Sequence, residues 1–347
     1  MAAAAAADEP TIIQWLFDTR DWFPEATTTR QLETHPIASR ILALLPPSER
    51  AAALRYIHIR DAKMSLASSW LKHLAIAHLL PTLPWHASVI TRAPSTGKPI
   101  FQPPHTPSSS SSPSPSISLN VTHQAGLVAL IASSSPDSID LGTDLVCTSE
   151  RRARDHTLIS SDTFPKFIDM HADVFSPRET SYLKYQILSA VPGLAGGENN
   201  LVDAKLRAFY ALWALREAYV KMTGEALLAP WLRDLEFRGF RPVAPTPAWG
   251  VPAVETTSDK ENDGRSYGPQ VLRDFEIWFR GERVDDVNVC LRALGPDYMI
   301  ATAVRTPADK QVGLRLKLGP YRELDLFEML EFAEARMEES TLSWPSE

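Results

Sequence analysis

The spacing of hydrophobic and polar residues along the chain predicts alternating helices and strands. Apolar residues recur every three or four positions, the period of an amphipathic helix, in four segments: 48–59, 61–80, 204–223 and 324–339. Apolar runs or strict alternation, typical of strands, occupy shorter segments: 12–19, 117–121, 126–132, 139–147, 235–240, 275–280, 287–294 and 298–304. A helix followed by strands therefore occurs twice, which predicts an α+β fold with two similar lobes.

Two stretches depart from this pattern, and both predict loops. Residues 102–116 consist almost entirely of Ser and Pro, which bury too little apolar surface to offset the entropy of ordering, so we expect a disordered insertion there. Residues 241–270 are rich in Pro, Gly and charged residues and predict a surface loop. At about 150 residues per domain, we expect one lobe at 1–145 and a second at 146–347, which includes the acidic helix 324–339.

The composition excludes several classes of protein. Hydrophobic residues make up 44% of the 347 residues and charged residues 22%, as in ordinary globular proteins. A net charge of −7 argues against a general nucleic-acid-binding face, and no apolar run approaches the ~20 residues that span a bilayer. Because there are only two cysteines and the chain does not start with a secretory or mitochondrial signal, we expect a cytosolic protein.

Two acidic residues are the first candidates for chemistry. Asp144 lies within a predicted apolar strand, where an acid is costly unless it is paired, hydrogen-bonded or bound to a metal; it could also cap a neighbouring loop. Glu217 shares a helix face with Trp213 and Lys221, at i, i+4 and i+8, and Arg216 is its neighbour. Taken alone, this row is better explained by a core Trp beside a solvated Glu–Lys pair, worth ~0.3–0.5 kcal/mol.

Cations and a hydroxyl group that could bind phosphate occur at three places. They are Thr122 and His123 at a strand end, Lys98 and Pro99 in a Gly-Lys-Pro turn, and Arg60 and Lys63 at the start of a helix. An imidazole beside a hydroxyl group, and cations near the positive end of a helix, both favour an anion. Singly, each is a weak signal, and a structural or surface role explains the histidine and the basic helix start better.

The order of these motifs along the chain is more specific than any one of them. After the basic helix start come Gly-Lys-Pro at 97–99, Asn-Val-Thr-His at 120–123, Gly-Thr-Asp at 142–144 and Trp-x-x-Arg-Glu-x-x-x-Lys at 213–221. This order resembles that of the 4′-phosphopantetheinyl transferases of the surfactin-synthetase-activator type. The runs at 61–69 and 213–237 are similar to the fungal, broad-specificity branch of the family.

The resemblance implies a reaction, a fold and a metal site. Enzymes of the family transfer the 4′-phosphopantetheine arm of coenzyme A to a serine of an apo carrier protein and release 3′,5′-ADP. Their two lobes are related by a pseudo-twofold axis, with the active site in the cleft between them. By resemblance, Asp144 on the first lobe and Glu217 on the second would bind Mg²⁺, or Mn²⁺. Val146 stands where bacterial members often have a third acid, an absence shared by eukaryotic members.

The resemblance also implies roles for the remaining site residues. Glu217 would be the general base, with a metal-bound water as the competing assignment, and Lys221 would bind a phosphate as charge builds on the leaving group. Coenzyme A would be bound by a set of mostly cationic residues: Arg60, Lys63, Lys98, Pro99, Thr122, His123, Arg216 and Lys221.

The implied partners are apo carrier domains of polyketide synthases, nonribosomal peptide synthetases and aminoadipate reductase, which places the protein in secondary metabolism and lysine biosynthesis. We expect a monomer with no nucleic-acid or membrane partner. Residues 164–185, with Lys166, Arg178 and Lys184, are the region where a carrier could dock. The alternative is a non-catalytic module that binds coenzyme A or a carrier protein; removing the charge of Asp144 and Glu217 would distinguish the two.

Overall fold

The computed structural model describes residues 10–94, 96–101, 116–135, 137–187, 198–225, 229–253 and 270–342. In this part of the chain the α-helices are α1 (Pro36–Ala43), α2 (Pro47–Leu54), α3 (Ile59–Leu79), α4 (Arg152–Asp162), α5 (Phe164–Asp169), α6 (Pro177–Tyr185), α7 (Glu198–Thr223), α8 (Lys310–Arg315) and α9 (Leu326–Leu342). The insertion predicted at 102–116 lies outside the described residues, apart from Ser116.

The strands of the described residues include all eight that the sequence predicts. They are β1 (Thr11–Asp18), β2 (Ile90–Arg92), β3 (Pro99–Phe101), β4 (Ser116–Gln124), β5 (Leu127–Ser135), β6 (Asp140–Cys147), β7 (Leu235–Arg238), β8 (Val271–Leu272), β9 (Glu276–Phe279), β10 (Glu282–Val284), β11 (Val287–Leu294), β12 (Tyr298–Arg305) and β13 (Arg322–Glu323).

The chain forms two compact units, and the predicted two-lobe α+β organisation is confirmed. The first unit comprises Met1–Leu141, Thr306–Val312 and Tyr321–Glu347, and the second comprises Gly142–Arg305 and Gly313–Pro320. The boundary therefore falls before Gly142 rather than at 145–146. The C-terminal segment, which the sequence analysis assigns to the second lobe, belongs to the first unit.

In the first unit a four-stranded sheet, ordered β13-β1-β5-β4, packs against α3. β4 and β5 are antiparallel neighbours joined by a two-residue turn in which Ala125 and Gly126 both have positive φ, the geometry that suits a tight hairpin. α3 buries its apolar side over this sheet, where Trp70 stacks on Phe17 with ring centroids 5.3 Å apart. The sheet and α3 thus form the core of this unit.

The C-terminal helix α9 is part of the same core. Leu330 and Ala333 are buried among the apolar residues of the first unit. At the rim, Arg40 forms an ion pair with Glu334 at 2.6 Å, and the Trp85 backbone N–H donates to Ser340 Oγ at 2.8 Å. The periodicity of a helix shows which face is apolar but not which core receives it, so the placement of this helix in the second lobe was wrong.

In the second unit α7 packs on the sheet β6-β12-β11-β8, and a smaller sheet, β10-β9-β7, completes the unit. Gly142 on β6 allows this close approach, because a Cβ at that position would meet the Ala218 carbonyl and lie 2.5 Å from Met222 N. A residue without a side chain is therefore required where β6 crosses α7.

Two further predictions differ from the structure. The helix expected at 48–59 ends at Leu54, because the Tyr56 carbonyl accepts a hydrogen bond from Thr29 Oγ1 at 2.8 Å in a loop before α3. The stretch expected as a surface loop from 241 is extended and partly buried over its described part, where Val243 and Thr246 are inaccessible to solvent. No helix in the described ranges has the length and apolar character needed to cross a membrane.

Candidate functional site

The structure places Asp144 and Glu217 in the same unit and brings them into electrostatic contact. Asp144 lies on β6, is only 8% exposed, and contributes to a raised pKa of Glu217. Glu217 lies on α7, which packs on β12 and which β6 approaches closely at Gly142. The expectation that these two acids belong to different lobes is therefore wrong, since both lie in the second unit.

Lys221 completes this cluster. Its Nζ donates to Asp144 Oδ1 at 2.6 Å and to the Thr143 carbonyl at 3.2 Å. Because Lys221 follows Glu217 by four residues on α7, both side chains leave the same face of the helix. Two carboxylates and one ammonium group therefore share a small, partly buried region, with a net charge of −1 when all three are ionised.

The environment of Glu217 favours its protonated form. The pKa of this carboxyl is raised to about 7, because burial and, to a smaller extent, the charge of Asp144 raise it while the nearby ammonium of Lys221 opposes both effects. An acid with such a pKa exchanges a proton near neutral pH, which suits a proton-transfer group. A divalent cation beside both carboxylates would favour their ionised forms.

The two carboxylates fit a magnesium ion. Mg²⁺ prefers oxygen ligands and is commonly held by one or two carboxylates together with waters and substrate phosphates. Across the described residues, no third His, Cys, Asp or Glu joins a cluster with them. Val146, two residues after Asp144 on β6, is buried and apolar, so a metal ion here would have two charged protein ligands, and its other positions would be open to water and phosphate.

Arg216 does not belong to this cluster, and its predicted role in binding coenzyme A is not supported. Its side chain is fully buried and its Nη1 forms an ion pair with Glu179 Oε2 at 2.6 Å. The same guanidinium donates to the carbonyls of Leu235, at 2.9 Å, and Leu232. A phosphate has no access to this group, because the side chain of Arg216 is 0% exposed.

The turn that carries Lys98 has the expected geometry. Gly97 adopts a positive φ of 69°, and its N–H donates to the Ala93 carbonyl at 2.8 Å, which closes the turn between β2 and β3. Pro99 begins β3 and pairs with Arg92. Lys98 is therefore presented, half-exposed, at the tip of a hairpin in the first unit.

Thr122 and His123 are adjacent on β4 but face opposite sides of the sheet. Thr122 is buried, whereas His123 is exposed and its Nδ1 lies 3.4 Å from Ser68 Oγ on α3. His123 is therefore the more accessible of the two side chains. Ser68 orients the imidazole. The order of the motifs does not single out Ser68, but it lies within the run at 61–69 that is similar to the fungal branch of the family.

Arg60 and Lys63 lie in the first turns of α3, in different surroundings. Arg60 is exposed and 3.8 Å from Asp61. Lys63 is largely buried, which lowers its pKa, while the charges of Asp21 and Glu25 act in the opposite direction. Arg60 thus lies at the surface of the first unit, whereas Lys63 is buried.

Comparison with known proteins gives a consistent result over both units. Residues 34–135 match the family described as 4′-phosphopantetheinyl transferase, N-terminal, and residues 140–262 match the 4′-phosphopantetheinyl transferase superfamily. Three similar proteins illustrate the range of the match. They are 4′-phosphopantetheinyl transferase 1 of Fusarium mangiferae (40% identical; 95% of this chain and 97% of that protein), 4′-phosphopantetheinyl transferase A of Aspergillus fumigatus (36%; 88% and 86%) and the L-aminoadipate-semialdehyde dehydrogenase-phosphopantetheinyl transferase of Mus musculus (24%; 62% and 57%).

Proposed function

The chain belongs to the 4′-phosphopantetheinyl transferase superfamily, and from that membership we propose how its own residues carry out the transfer. It is a transferase that moves the 4′-phosphopantetheine arm of coenzyme A onto a carrier protein. In the reaction, the hydroxyl oxygen of a carrier serine bonds to the β-phosphorus of coenzyme A. The bond from that phosphorus to the bridging oxygen breaks, and 3′,5′-ADP leaves with the electron pair.

The observation that carries the proposal is the cluster of Asp144, Glu217 and Lys221. We assign Asp144 and Glu217 as the ligands of a catalytic Mg²⁺, with Mn²⁺ as a substitute. A cation bound there would neutralise pyrophosphate oxygens and lower the cost of bringing the serine oxygen to phosphorus. Lys221 Nζ, which Asp144 holds in place at 2.6 Å, would then stabilise negative charge on the departing phosphate.

Glu217 is the proposed acceptor of the serine proton, directly or through a water molecule. Its raised pKa of about 7 in the absence of a metal means that the carboxyl is neither a strong acid nor permanently ionised near neutral pH. Metal coordination lowers the basicity of a carboxylate. A water between Glu217 and the serine is therefore the assignment that reconciles the two roles of this residue.

We propose that residues of the first unit bind the rest of coenzyme A. His123, oriented by Ser68, is the candidate for a pyrophosphate oxygen, in preference to the buried Thr122. Lys98, held at its turn by Pro99, and Arg60 at the start of α3 are the candidates for the 3′-phosphate. Lys63 would contribute its charge from below the surface. Each cation favours a dianionic phosphate over a neutral group.

The carrier proteins are proposed at the level of class. The mouse relative is named as an L-aminoadipate-semialdehyde dehydrogenase-phosphopantetheinyl transferase, and the fungal relatives share most of their length with this chain. We propose that this chain acts on the carrier domains of an aminoadipate-reducing enzyme and of polyketide and nonribosomal peptide synthetases. We further propose that it acts as a monomer in the cytosol.

Intact mass spectrometry of an apo carrier domain tests the proposal. The domain is incubated with the full chain, coenzyme A and Mg²⁺, and a gain of ~340 Da, lost on chelation, is expected for a metal-dependent transfer. Glu217→Gln and Asp144→Asn should each lower the rate at least ~100-fold. No gain with any carrier class, while coenzyme A still binds, would instead support a non-catalytic binding module.

Asp203→Asn is the matched control. Asp203 lies on α7 like Glu217, is likewise a carboxylate beside cations, and pairs with Arg152 at 2.7 Å and with His156 at 2.7 Å. It lies more than three turns of helix before Glu217. Its substitution should leave the rate of transfer within about twofold, because its pair is a surface interaction of small energy.

A further inference from the structure

A buried ion pair lies directly beside the catalytic face of α7. Arg216 precedes Glu217, so its side chain leaves the helix about 100° away from that of Glu217 and points into the protein. The guanidinium is completely buried, and its charge is balanced by Glu179, which is 3% exposed. The pair has no role in the reaction described above.

The pair joins α7 to two other elements. Glu179 accepts hydrogen bonds from the Ser176 N–H at the start of α6, at 2.9 Å, and from the Phe237 N–H on β7, at 2.8 Å. Arg216 donates to the carbonyls of Leu232 and Leu235, at the entrance of β7. One turn of α7 is thereby fixed, by directional bonds, to α6 and to β7 at once.

The opposite side of the same helical segment is also fixed. Gly142 brings the backbone of β6 against Ala218 and Met222 of α7, and Asp144 follows two residues later on β6. The segment of α7 that carries Glu217 and Lys221 is therefore held between β6 on one side and the Glu179–Arg216 pair on the other. A rotation of α7 would move Glu217 relative to Asp144 and break bonds on both sides.

We propose that Glu179 and Arg216 are positioning residues of the transferase, whose buried ion pair fixes the rotation of α7 and hence the place of the Glu217 carboxylate and the Lys221 ammonium. This inference rests on the proposed function of Glu217 and Lys221. Its physical basis is that a metal–phosphate site loses rate steeply when a ligand moves, about 100-fold for a displacement of about 1 Å.

Stability alone does not require such a pair. Two charges lose hydration when they are buried, and apolar residues of similar volume often replace a buried ion pair without loss of stability, whereas removal of one partner is strongly destabilising. Apolar contacts are not directional, however, and they permit small rotations that ionic hydrogen bonds prevent. Retention of stability after neutralising both partners, with loss of rate, is therefore the signature that distinguishes positioning from stabilisation.

The test uses the full chain and compares the double variant Glu179→Gln/Arg216→Met with Arg216→Lys and wild type. Thermal unfolding, kcat, KM for coenzyme A, and Mg²⁺ affinity by calorimetry without substrate are measured. We expect the double variant to unfold near the wild-type temperature, with kcat lowered ~10- to 100-fold, Mg²⁺ affinity lowered about tenfold, and KM for coenzyme A changed by less than about threefold. Arg216→Lys, which can still pair with Glu179, should recover most of the lost kcat.

Arg207→Met is the matched control on the same helix. Arg207 donates to the carbonyls of Val243, at 2.7 Å, and Pro296, at 2.8 Å, but lies ten residues before Glu217. Arg207→Met should lower the unfolding temperature and leave kcat and Mg²⁺ affinity unchanged. If the double variant does not fold, Glu179→Asp, which shortens the side chain and keeps its charge, takes its place with the same expected loss of kcat.

Wild-type kcat and Mg²⁺ affinity in a folded double variant, or in Glu179→Asp, would overturn the proposal and leave the pair a structural feature. A wild-type chain that transfers nothing would refute the proposed function instead. The Mg²⁺ titration separates these outcomes, because it reports the arrangement of Asp144 and Glu217 whether or not transfer occurs.

Discussion

Glu217 is a partly buried acid whose ionisation costs the metal-free protein stability. Burial and the neighbouring Asp144 raise its pKa to about 7, well above the usual value of a glutamic acid. Between about pH 4.5 and 7 the folded chain therefore binds more protons at this residue than the unfolded chain does. Linkage then requires that the metal-free protein lose stability as the pH rises through that window.

We expect Glu217→Gln to stabilise the metal-free protein at pH 8, because the neutral amide removes the cost of ionising a buried acid. After allowance for solvent screening, the gain should be on the order of 1–2 kcal/mol in the free energy of unfolding. The gain should fade as the pH falls from 7 towards 4.5. Denaturant unfolding in the presence of a chelator, at pH 5 and pH 8, measures it.

Asp203→Asn gives the opposite pH dependence and serves as the control. Burial acts to raise the pKa of Asp203, but hydrogen bonds from Arg152 and His156 outweigh it and hold the pKa below the usual value. Its stabilising contribution is therefore present near neutral pH and lost on acidification. An equal stabilisation by Glu217→Gln at pH 5 and pH 8 would show that protonation is not its cause.

At the scale of elements, the site depends on the crossing of β6 and α7. Gly142 carries no side chain at the point where β6 contacts the backbone of α7, and Asp144 follows on the same strand. The distance between strand and helix therefore also sets the separation of Asp144 from Glu217 and Lys221.

Gly142→Ala should separate the two elements. The added Cβ would lie 2.5 Å from Met222 N and also meet the Ala218 carbonyl, both of which are backbone atoms that cannot rotate away. We expect a loss of about 3 kcal/mol in the free energy of unfolding and a fall of at least ~100-fold in kcat. Calorimetry and the carrier-mass assay measure the two effects. Wild-type values in both would mean that β6 can shift without disturbing the site.

At the scale of the whole molecule, the chain returns to its first unit after completing the second. α9 contributes Leu330 and Ala333 to the core formed by α3 and β1, although more than 200 residues of sequence separate it from those elements. The stability of the first unit is consequently sensitive to substitutions in α9. Two large apolar residues of this helix allow a matched comparison, because Leu330 is buried and Phe327 is exposed.

Leu330→Ala should destabilise the first unit by about 3 kcal/mol, whereas Phe327→Ala should change its stability by less than about 0.5 kcal/mol. Leu330 is 1% exposed and Phe327 is 55% exposed. Backbone amide hydrogens of α3 should exchange faster in Leu330→Ala than in wild type, and at the wild-type rate in Phe327→Ala. Faster exchange confined to α7 would contradict the assignment of α9 to the first unit.

Hydrophobic periodicity was sufficient to predict the helices and strands that carry a clear repeat of apolar residues in their own sequence. α3 and α7 carry long amphipathic repeats, and β11 was predicted with the residue bounds that the structure has. α4, α5 and α6 escaped prediction because they are short and begin near Pro or Ser, so their helical period extends over only two or three turns. Their positions are determined by contacts with α7 and with each other rather than by their own sequence.

The sequence could single out candidate site residues, but it could not give their arrangement. The order of the motifs identified Asp144, Glu217 and Lys221, whereas nothing local shows that Arg216 turns inward to Glu179. Its apolar neighbours on the same helix face, Leu212 and Tyr219, were a usable signal, since a cation between them requires a buried acid. Which acid it meets depends on long-range packing, as does the core that receives α9.

The membership of α9 in the first unit also has a consequence for protein synthesis. All residues of the second unit, which ends at Pro320, leave the ribosome before α9 does. The part of the chain that is translated first is therefore the part whose core is closed last, the reverse of the usual N-terminal-first order. Until translation reaches α9, the apolar surface that this helix covers on α3 and on Trp85–Ala87 lacks its cover, and transient exposure of this kind favours aggregation of a nascent chain.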